Sequence, residues 1–202
     1  VIDPSAVIGK DVSVGPWTTI GANVKIGDNC NIASHVVIKG PTVIGSGNTI
    51  YQFASVGEDT PDLKYKGEPT RLVIGNNNTI REGVTIHRGT IQDNGETVIG
   101  SDNLFMAYVH VGHDCVIGNH VVMTNNAAVA GHVHVGDWSI LSGFAMIHQY
   151  VSLGAHCFIG PAAFVYHDVP AYVTVSGSPA EPRTINREGL KRRDFSVEQI
   201  AM

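Results

Sequence analysis

The chain has 202 residues, a formal net charge of -5 and only 15% charged residues. This length allows one domain with a sizeable core, and the acidic balance argues against a nucleic-acid-binding protein, which would carry a basic face. No apolar run approaches the roughly 20 residues that span a bilayer, and no signal segment opens the chain. We therefore expect no membrane insertion and a cytoplasmic location.

The first feature along the chain is an aliphatic residue at every sixth position, beginning at Ile2. A helix cannot use this period, because six residues make about 1.7 turns and would scatter these side chains around its axis. After two interruptions the period runs unbroken from Ile99 to Val165. Smaller residues follow four positions later, and Cys30, Cys115 and Cys157 all belong to this second class. We interpret the cysteines as small core residues.

Such a hexapeptide repeat predicts a parallel β-helix. Gly, Asn and Asp allow short strands to turn a corner every six residues. Three hexapeptides then make one coil, and each coil bonds to the next. The prediction is an all-β triangular prism over residues 1–169.

Two segments lack the repeat and are predicted to be excursion loops, residues 57–73 and 89–98. Loops on a rigid scaffold commonly carry binding residues. The second region, residues 170–202, is predicted as an irregular crossing followed from Asn186 by the start of a helical C-terminal tail.

None of the ten histidines falls at an inward position of the repeat. Because residues 18 apart stack in successive coils, we expect His113, His132 and His148 on one face of three consecutive coils. His110 is expected at the corner leading into that face, with His87 nearby. A solvated face, an acid–base site and a metal site all remain open, since imidazole titrates near neutral pH and can also bind a metal.

Asp114 directly follows His113 and can hold its imidazole in one tautomer. No Ser, Cys or Lys lies in a recognisable nucleophile motif such as Gly-x-Ser-x-Gly. The pair therefore favours direct transfer by a general base, without a metal or a cofactor.

Six short strings, in chain order, resemble the UDP-N-acetylglucosamine 3-O-acyltransferase family of hexapeptide-repeat enzymes. They are Asp62-Leu63-Lys64-Tyr65-x-Gly67-Glu68-Pro69-Thr70, Ile86-His87-Arg88-Gly89-Thr90, Gly112-His113-Asp114-Cys115, Ala130-Gly131-His132, Ile147-His148-Gln149 and Glu188-Gly189-Leu190-Lys191-Arg192-Arg193. The resemblance implies that the prism is left-handed, although parallel crossovers are usually right-handed.

The resemblance also implies the first step of lipid A biosynthesis. An R-3-hydroxyacyl group would move from acyl carrier protein to the glucosamine 3-hydroxyl of UDP-N-acetylglucosamine, in a homotrimer with active sites between neighbouring prisms. His113 would remove the hydroxyl proton, Asp114 would support His113, and the N–H of Gly131 would stabilise the oxyanion.

The same matching assigns the substrate-binding residues. Asp62, Lys64, His132 and Gln149 are expected to hold the sugar and diphosphate, His87, His110 and His148 to line the cleft, and Asn186, Glu188, Arg192 and Arg193 to contact the nucleotide. Arginine suits a diphosphate because its planar fork makes charge-assisted bonds.

Two departures from the family pattern affect the expectations. Pro161 occupies the position of the acyl-length ruler, and its size suggests a shorter acyl chain. Family members continue into a C-terminal helical domain, whereas this sequence stops at Met202, so we expect a truncated chain.

Three other functions stay open at this stage. A zinc-dependent carbonic anhydrase on the same fold would place three histidines around a metal at a subunit interface. A non-catalytic or ice-binding prism would carry a regular outward ladder of Thr. A coenzyme A-dependent sugar acetyltransferase would differ in its acyl donor.

Overall fold

The computed structural model describes residues 1–201; Met202, the last residue of the predicted tail, lies outside the described residues. The strands are β1 (Val7–Ile8), β2 (Ser13–Val14), β3 (Thr19–Ile20), β4 (Val24–Ile26), β5 (Asn31–Ile32), β6 (Val37–Ile38), β7 (Thr42–Ile44), β8 (Thr49–Ile50), β9 (Ser55–Glu58), β10 (Arg71–Ile74), β11 (Thr79–Ile80), β12 (Thr85–His87), β13 (Glu96–Ile99), β14 (Leu104–Phe105), β15 (His110–Val111), β16 (Val116–Ile117), β17 (Val122–Met123), β18 (Ala128–Val129), β19 (His134–Val135), β20 (Ile140–Leu141), β21 (Met146–Ile147), β22 (Ser152–Leu153), β23 (Phe158–Ile159), β24 (Phe164–Val165), β25 (Val173–Ser176) and β26 (Glu181–Ile185). The helices are α1 (Arg187–Lys191) and α2 (Val197–Ala201).

These strands form the three faces of a left-handed parallel β-helix, as predicted. The first face is β1-β4-β7-β10-β13-β16-β19-β22, the second β2-β5-β8-β11-β14-β17-β20-β23-β25-β26, and the third β3-β6-β9-β12-β15-β18-β21-β24. Each coil pairs in register with the next, so that Val111 of β15 lies beside Val129 of β18. Residues at equivalent positions of successive coils therefore stack.

Both inward classes of the repeat form the core. Every sixth residue from Ile99 to Val165 is at most 3% exposed, and Phe105 is the largest side chain that is fully buried. The three cysteines are also buried and unpaired. Ile2, by contrast, is 47% exposed, because only one neighbouring coil covers the first turn of the prism.

At most corners, the residue three positions after the inward aliphatic residue has a positive φ. Asp114 matches the expected Asn, Asp or Gly preference, but His132, Trp138 and Tyr150 adopt the same conformation. A side chain with a Cβ pays about 1–2 kcal/mol there. Stacking of the ring on an equivalent ring in the next coil offsets this cost, as in Trp138 and His156 with centroids 6.3 Å apart.

The two predicted interruptions are excursion loops, but each is shorter than predicted. β9 extends through Glu58 and β10 begins at Arg71, so the first excursion loop is residues 59–70. β12 ends at His87 and β13 begins at Glu96, so the second is residues 88–95. Strand pairing explains the shortening, because Leu72 is aligned between residues of β7 and β13 and is fully buried.

Residues 170–185, predicted as an irregular crossing, contain two strands. β25 pairs parallel with β23, so the second face continues past residue 169, and β26 returns antiparallel to β25. The helical tail is interrupted between α1 and α2 at Asp194, which has a φ of 62°. Neither helix of residues 1–201 has the length and apolar character needed to cross a bilayer.

Candidate active site

The predicted pair of His113 and Asp114 is formed where the third face turns into the first; we call this edge the histidine corner. Nδ1 of His113 is 2.7 Å from Oδ2 of Asp114. Because an ionised carboxylate only accepts hydrogen bonds, Nδ1 carries a proton, and in the neutral imidazole the lone pair is then on Nε2. The Asp114 side chain is 1% exposed and that of His113 is 16% exposed, so the imidazole reaches solvent and the carboxylate does not.

Thr90, in the second excursion loop, completes the environment of this carboxylate. Its backbone N–H donates to Oδ1 of Asp114 and its hydroxyl to Oδ2, both at 2.7 Å. Burial raises the pKa of Asp114, but the bonds from His113 and Thr90 outweigh it, and the pKa lies below its ordinary value. Asp114 is therefore an anion at neutral pH.

Gly131 lies against His113 in the following coil. A Cβ at this position would be 2.5 Å from Cε1 and 2.6 Å from Nε2 of His113, so the imidazole packs directly over the Gly131 backbone. The N–H of Gly131 has no hydrogen-bond partner within residues 1–201. Nε2 of His113 and a free backbone donor are thus neighbours.

His132 is the second imidazole of the histidine corner. Its Nδ1 is 2.9 Å from Oδ2 of Asp93, and its ring stands perpendicular to that of His113 with centroids 5.0 Å apart. Tyr150 stacks on its face at 4.3 Å. Nε2 of His132 is 3.8 Å from the Asp114 carboxylate, so it faces the His113–Asp114 pair without bonding to it.

His110 and His87 extend the cluster toward the first excursion loop. The expectation that His110 lies at a corner is wrong, because His110 is the first residue of β15. Thr85 Oγ1 is 2.8 Å from its Nδ1. Burial, followed by the nearby His87 and His113, lowers the pKa of His110 to about 4. The ring of His87 is 5.4 Å away. His110 is consequently neutral in the folded protein.

His148 and Gln149 belong to the histidine corner but are exposed. Nδ1 of His148 is 3.1 Å from the backbone oxygen of Gln149, and its ring neighbours Tyr166 at 5.8 Å. The expected column of His113, His132 and His148 is therefore incomplete, since Tyr150 occupies the place over His132.

Asp62 and Lys64 lie in the first excursion loop, with Lys64 exposed and its backbone N–H bonded to Oδ1 of Asp62 at 2.9 Å. The loop is anchored by the buried guanidinium of Arg88. Arg88 donates to the carboxylate of Asp59 and to the hydroxyl of Tyr65, the latter at 3.1 Å. Sequence reasoning missed this anchor.

The predicted nucleotide contacts lie elsewhere, at the edge between the first and second faces; we call this edge the arginine corner. Asn186, Glu188, Arg192 and Arg193 line a cavity of about 440 Å³ there. Asn186 is 6% exposed, and its Oδ1 caps α1 by accepting the N–H of Gly189 at 3.1 Å. Within one chain this group is not brought to His113.

Arg193 packs over Trp138, with its guanidinium carbon 5.3 Å from the ring, and burial lowers its pKa. Arg192 and Glu188 are exposed. Pro161 is also exposed and lies at the remaining edge, between β23 and β24. It therefore shares a corner with neither predicted group.

A metal ion is the other chemistry that the histidine corner could support. His113, Asp114 and His132 each offer a ligand atom, and these atoms lie within 4.8 Å of one another. The Asp114 carboxylate already accepts two bonds from Thr90 and one from His113. The arrangement fits a hydrogen-bonded acid–base pair better than a set of metal ligands.

Comparisons with known proteins agree with the repeat. A family model described as bacterial transferase hexapeptide (six repeats) matches residues 5–40 and 96–131, and one described as UDP N-acetylglucosamine O-acyltransferase, domain 2, matches residues 168–202. The chain is 64% identical over 200 residues to proteins named acyl-[acyl-carrier-protein]–UDP-N-acetylglucosamine O-acyltransferase from Stutzerimonas stutzeri and Pseudomonas aeruginosa. The alignments cover 99% of this chain and 78% of each relative.

Solved structures give the same result. The LpxA structure from Acinetobacter baumannii is similar with a TM-score of 0.98 and 52% identity, covering 100% of this chain and 78% of that one. The UDP-N-acetylglucosamine O-acyltransferase of Moraxella catarrhalis is similar with a TM-score of 0.98 and 46% identity, at the same coverage.

Proposed function

Because the chain belongs to the acyl-[acyl-carrier-protein]–UDP-N-acetylglucosamine O-acyltransferase family, we propose that it carries out that transfer with His113 as general base. The group transferred is an R-3-hydroxyacyl chain and the acceptor is the glucosamine 3-hydroxyl, in the first step of lipid A biosynthesis. The bond from His113 to the buried Asp114 is the observation that supports this proposal best. Family membership decides against the carbonic anhydrase, the ice-binding prism and the sugar acetyltransferase.

In the first step, Nε2 of His113 takes the proton of the acceptor hydroxyl while the oxygen of that hydroxyl attacks the thioester carbonyl carbon. The imidazolium that forms is stabilised by the anionic Asp114, which accepts a hydrogen bond of 2.7 Å from the Nδ1–H. The negative charge moves to the former carbonyl oxygen, and the free N–H of Gly131 donates to it.

In the second step, the tetrahedral intermediate collapses and its carbon–sulfur bond breaks. The carrier thiolate receives the proton held by His113, so the base returns to its starting state with no net change in protons. A positioned base of this kind typically contributes about 10²- to 10⁴-fold to the rate. Substrate positioning and the oxyanion contact supply the rest.

Substrate binding is divided between the two corners. Asp62, Lys64, His132 and Gln149 hold the sugar and diphosphate, with His87, His110 and His148 lining the cleft. Arg192 and Arg193, with Glu188 and Asn186, contact the nucleotide, and Pro161 limits the acyl chain. Because the side chain of Asn186 caps α1, its main role in this set is to hold that helix in place.

This division of the binding residues supports a homotrimer. Because the arginine corner and the histidine corner lie on different edges of one prism, a complete site requires the arginine corner of a neighbouring subunit. We therefore propose that three prisms pack side by side, with each active site between two of them, and that acyl carrier protein docks at this cleft.

We also propose that the protein acts in the cytoplasm. Its three cysteines are buried and unpaired, which is typical of a reducing compartment.

Transfer from 3-hydroxyacyl carrier protein to UDP-N-acetylglucosamine tests the function. We expect His113→Ala to lose about 10²- to 10⁴-fold in activity. His134→Ala is the matched control, since His134 is exposed on the first face and its side chain makes no hydrogen bond among the described residues. A fully active His113→Ala variant would remove His113 from the mechanism, and an inactive parent would overturn the function.

A further inference from the structure

Asp93 is a side chain that the catalytic scheme leaves without a role. It lies in the second excursion loop, 39 residues before His132, and its Oδ2 is 2.9 Å from Nδ1 of that histidine. The bond connects a side chain that is 36% exposed to one that is only 10% exposed. A half-exposed loop carboxylate therefore reaches into the wall of the cleft.

The other neighbours of His132 fix the plane of its ring but not its orientation. Tyr150 stacks on the ring at an angle of 7°, and His113 meets it at 90°. A half-turn about the Cβ–Cγ bond keeps both contacts, because it leaves the ring plane unchanged. The bond to Asp93 is the contact that distinguishes the two orientations.

The same bond decides which nitrogen carries the proton. An ionised carboxylate accepts and cannot donate, so Nδ1 of His132 is the donor, and in the neutral ring Nε2 then carries the lone pair. Nε2 is 3.8 Å from the Asp114 carboxylate, too far for a hydrogen bond. Its lone pair is therefore available to a hydroxyl or amide N–H of a bound sugar.

We propose that Asp93 is a positioning residue that holds His132 in the Nδ1-protonated tautomer, so that Nε2 accepts a hydrogen bond from the acceptor sugar. This inference deepens the proposed function and rests on it for the identity of the sugar. Thr90, three residues earlier, bonds to Asp114. The second excursion loop thus orients both imidazoles, His132 directly and His113 through Asp114.

The tautomer can be measured without substrate. In protein labelled with ¹⁵N-histidine, we expect the His132 signals, assigned by their loss in His132→Asn, to show a protonated Nδ1 and an unprotonated Nε2. Asp93→Ala should shift the ring toward the Nε2-protonated form, and Asp93→Glu should restore the parent pattern. A parent ring protonated at Nε2, or one unchanged in Asp93→Ala, would overturn the inference whatever the enzyme's activity.

Kinetics supply the second readout. Asp93→Ala should raise the KM for UDP-N-acetylglucosamine by about 3- to 10-fold, the effect of one lost hydrogen bond, while kcat and its pH profile stay unchanged. Asn94→Ala is the control, since Asn94 is exposed in the same loop and its side chain makes no hydrogen bond within residues 1–201. An equal effect of Asn94→Ala, or a lower kcat at unchanged KM, would contradict the role of Asp93. The expected tautomer in a parent that transfers no acyl group would overturn the proposed function alone.

Discussion

The imidazole of His113 lies so close to Gly131 that a methyl group there would be 2.5 Å from Cε1 of the ring. Gly131 is not among the residues with positive φ, so its backbone would accept an alanine. The space taken by His113 is therefore what requires glycine. We expect Gly131→Ala to displace the base and to lower kcat by about 10²-fold or more.

Stability measurements separate this displacement from a general packing defect. Gly131→Ala should destabilise the protein by about 1–3 kcal/mol, as overpacking does, but by less than about 0.5 kcal/mol in a His113→Ala background, because the clash is then absent. Equal costs in both backgrounds would contradict the explanation.

Thr90 supplies the hydroxyl bond to Asp114, and Thr90→Val removes it with little change in shape. Without this bond the carboxylate is held less firmly, and we expect kcat to fall by about 10- to 100-fold, the range typical of such supporting contacts. Thr90→Ser keeps the hydroxyl and should retain most of the activity. Steady-state kinetics of both variants check the prediction, which fails if Ser and Val behave alike.

Arg88 anchors the first excursion loop from a buried position, with bonds to the Gly57 carbonyl at 2.6 Å and to Tyr65. Arg88→Lys keeps the charge but loses the planar fork that spans these partners. We expect trypsin to cleave several-fold faster after Lys64 and Lys66, as measured by mass spectrometry of the fragments. We also expect a higher KM for the sugar nucleotide. Arg81→Lys is the control, because the guanidinium of Arg81 pairs with Glu82 outside this loop.

His110 makes stability depend on pH. Its folded-state pKa of about 4 lies below the ordinary histidine pKa of 6.5, so the unfolded chain binds more protons between these two pH values. The contribution of neutral His110 to the free energy of unfolding is complete above about pH 6.5 and is lost as the pH falls toward about 4. Denaturant titrations at fixed protein concentration measure this dependence. We expect His110→Asn to reduce the difference in the free energy of unfolding between pH 6.5 and pH 4 by on the order of 2 kcal/mol. The exposed His134→Asn should leave the dependence as it is in the parent.

Mixed trimers test whether two subunits build one site. His113→Ala and Arg192→Ala should each be nearly inactive as pure trimers. When the two are coexpressed, about a quarter of the sites should combine an intact His113 with an intact Arg192 from the neighbouring subunit. Measured transfer should recover toward that fraction. No recovery in trimers proven to be mixed would mean that both residues act within one subunit.

The prism could be predicted from the sequence because burial itself is periodic. Every inward residue from Ile99 to Val165 is buried as the repeat requires, and the pairing of His113 with Asp114 follows from their adjacency. The same counting could have found Tyr150. It lies at the same offset in its coil as His132, whereas His148 lies two positions earlier and therefore does not stack on that ring.

The loop contacts could not be predicted in this way. Thr90 and Asp93 lie in a loop without any repeat, and they meet partners 24 and 39 residues further along the chain. Arg88 likewise reaches Asp59 over 29 residues. No period relates the members of these pairs, because each contact depends on the path of a loop rather than on the stacking of coils.

The two excursion loops leave the prism between strands that stay paired with the coils on either side. Lengthening such a loop costs little beyond closure entropy, about 0.6 kcal/mol for each doubling of its length. Descendant lineages can therefore change most of residues 59–70 and 91–95, and with them the choice of acceptor, while Arg88, Thr90 and the coil that carries His113 are inherited unchanged. Substrate specificity can therefore change in one stretch of the gene while another stretch keeps the chemistry.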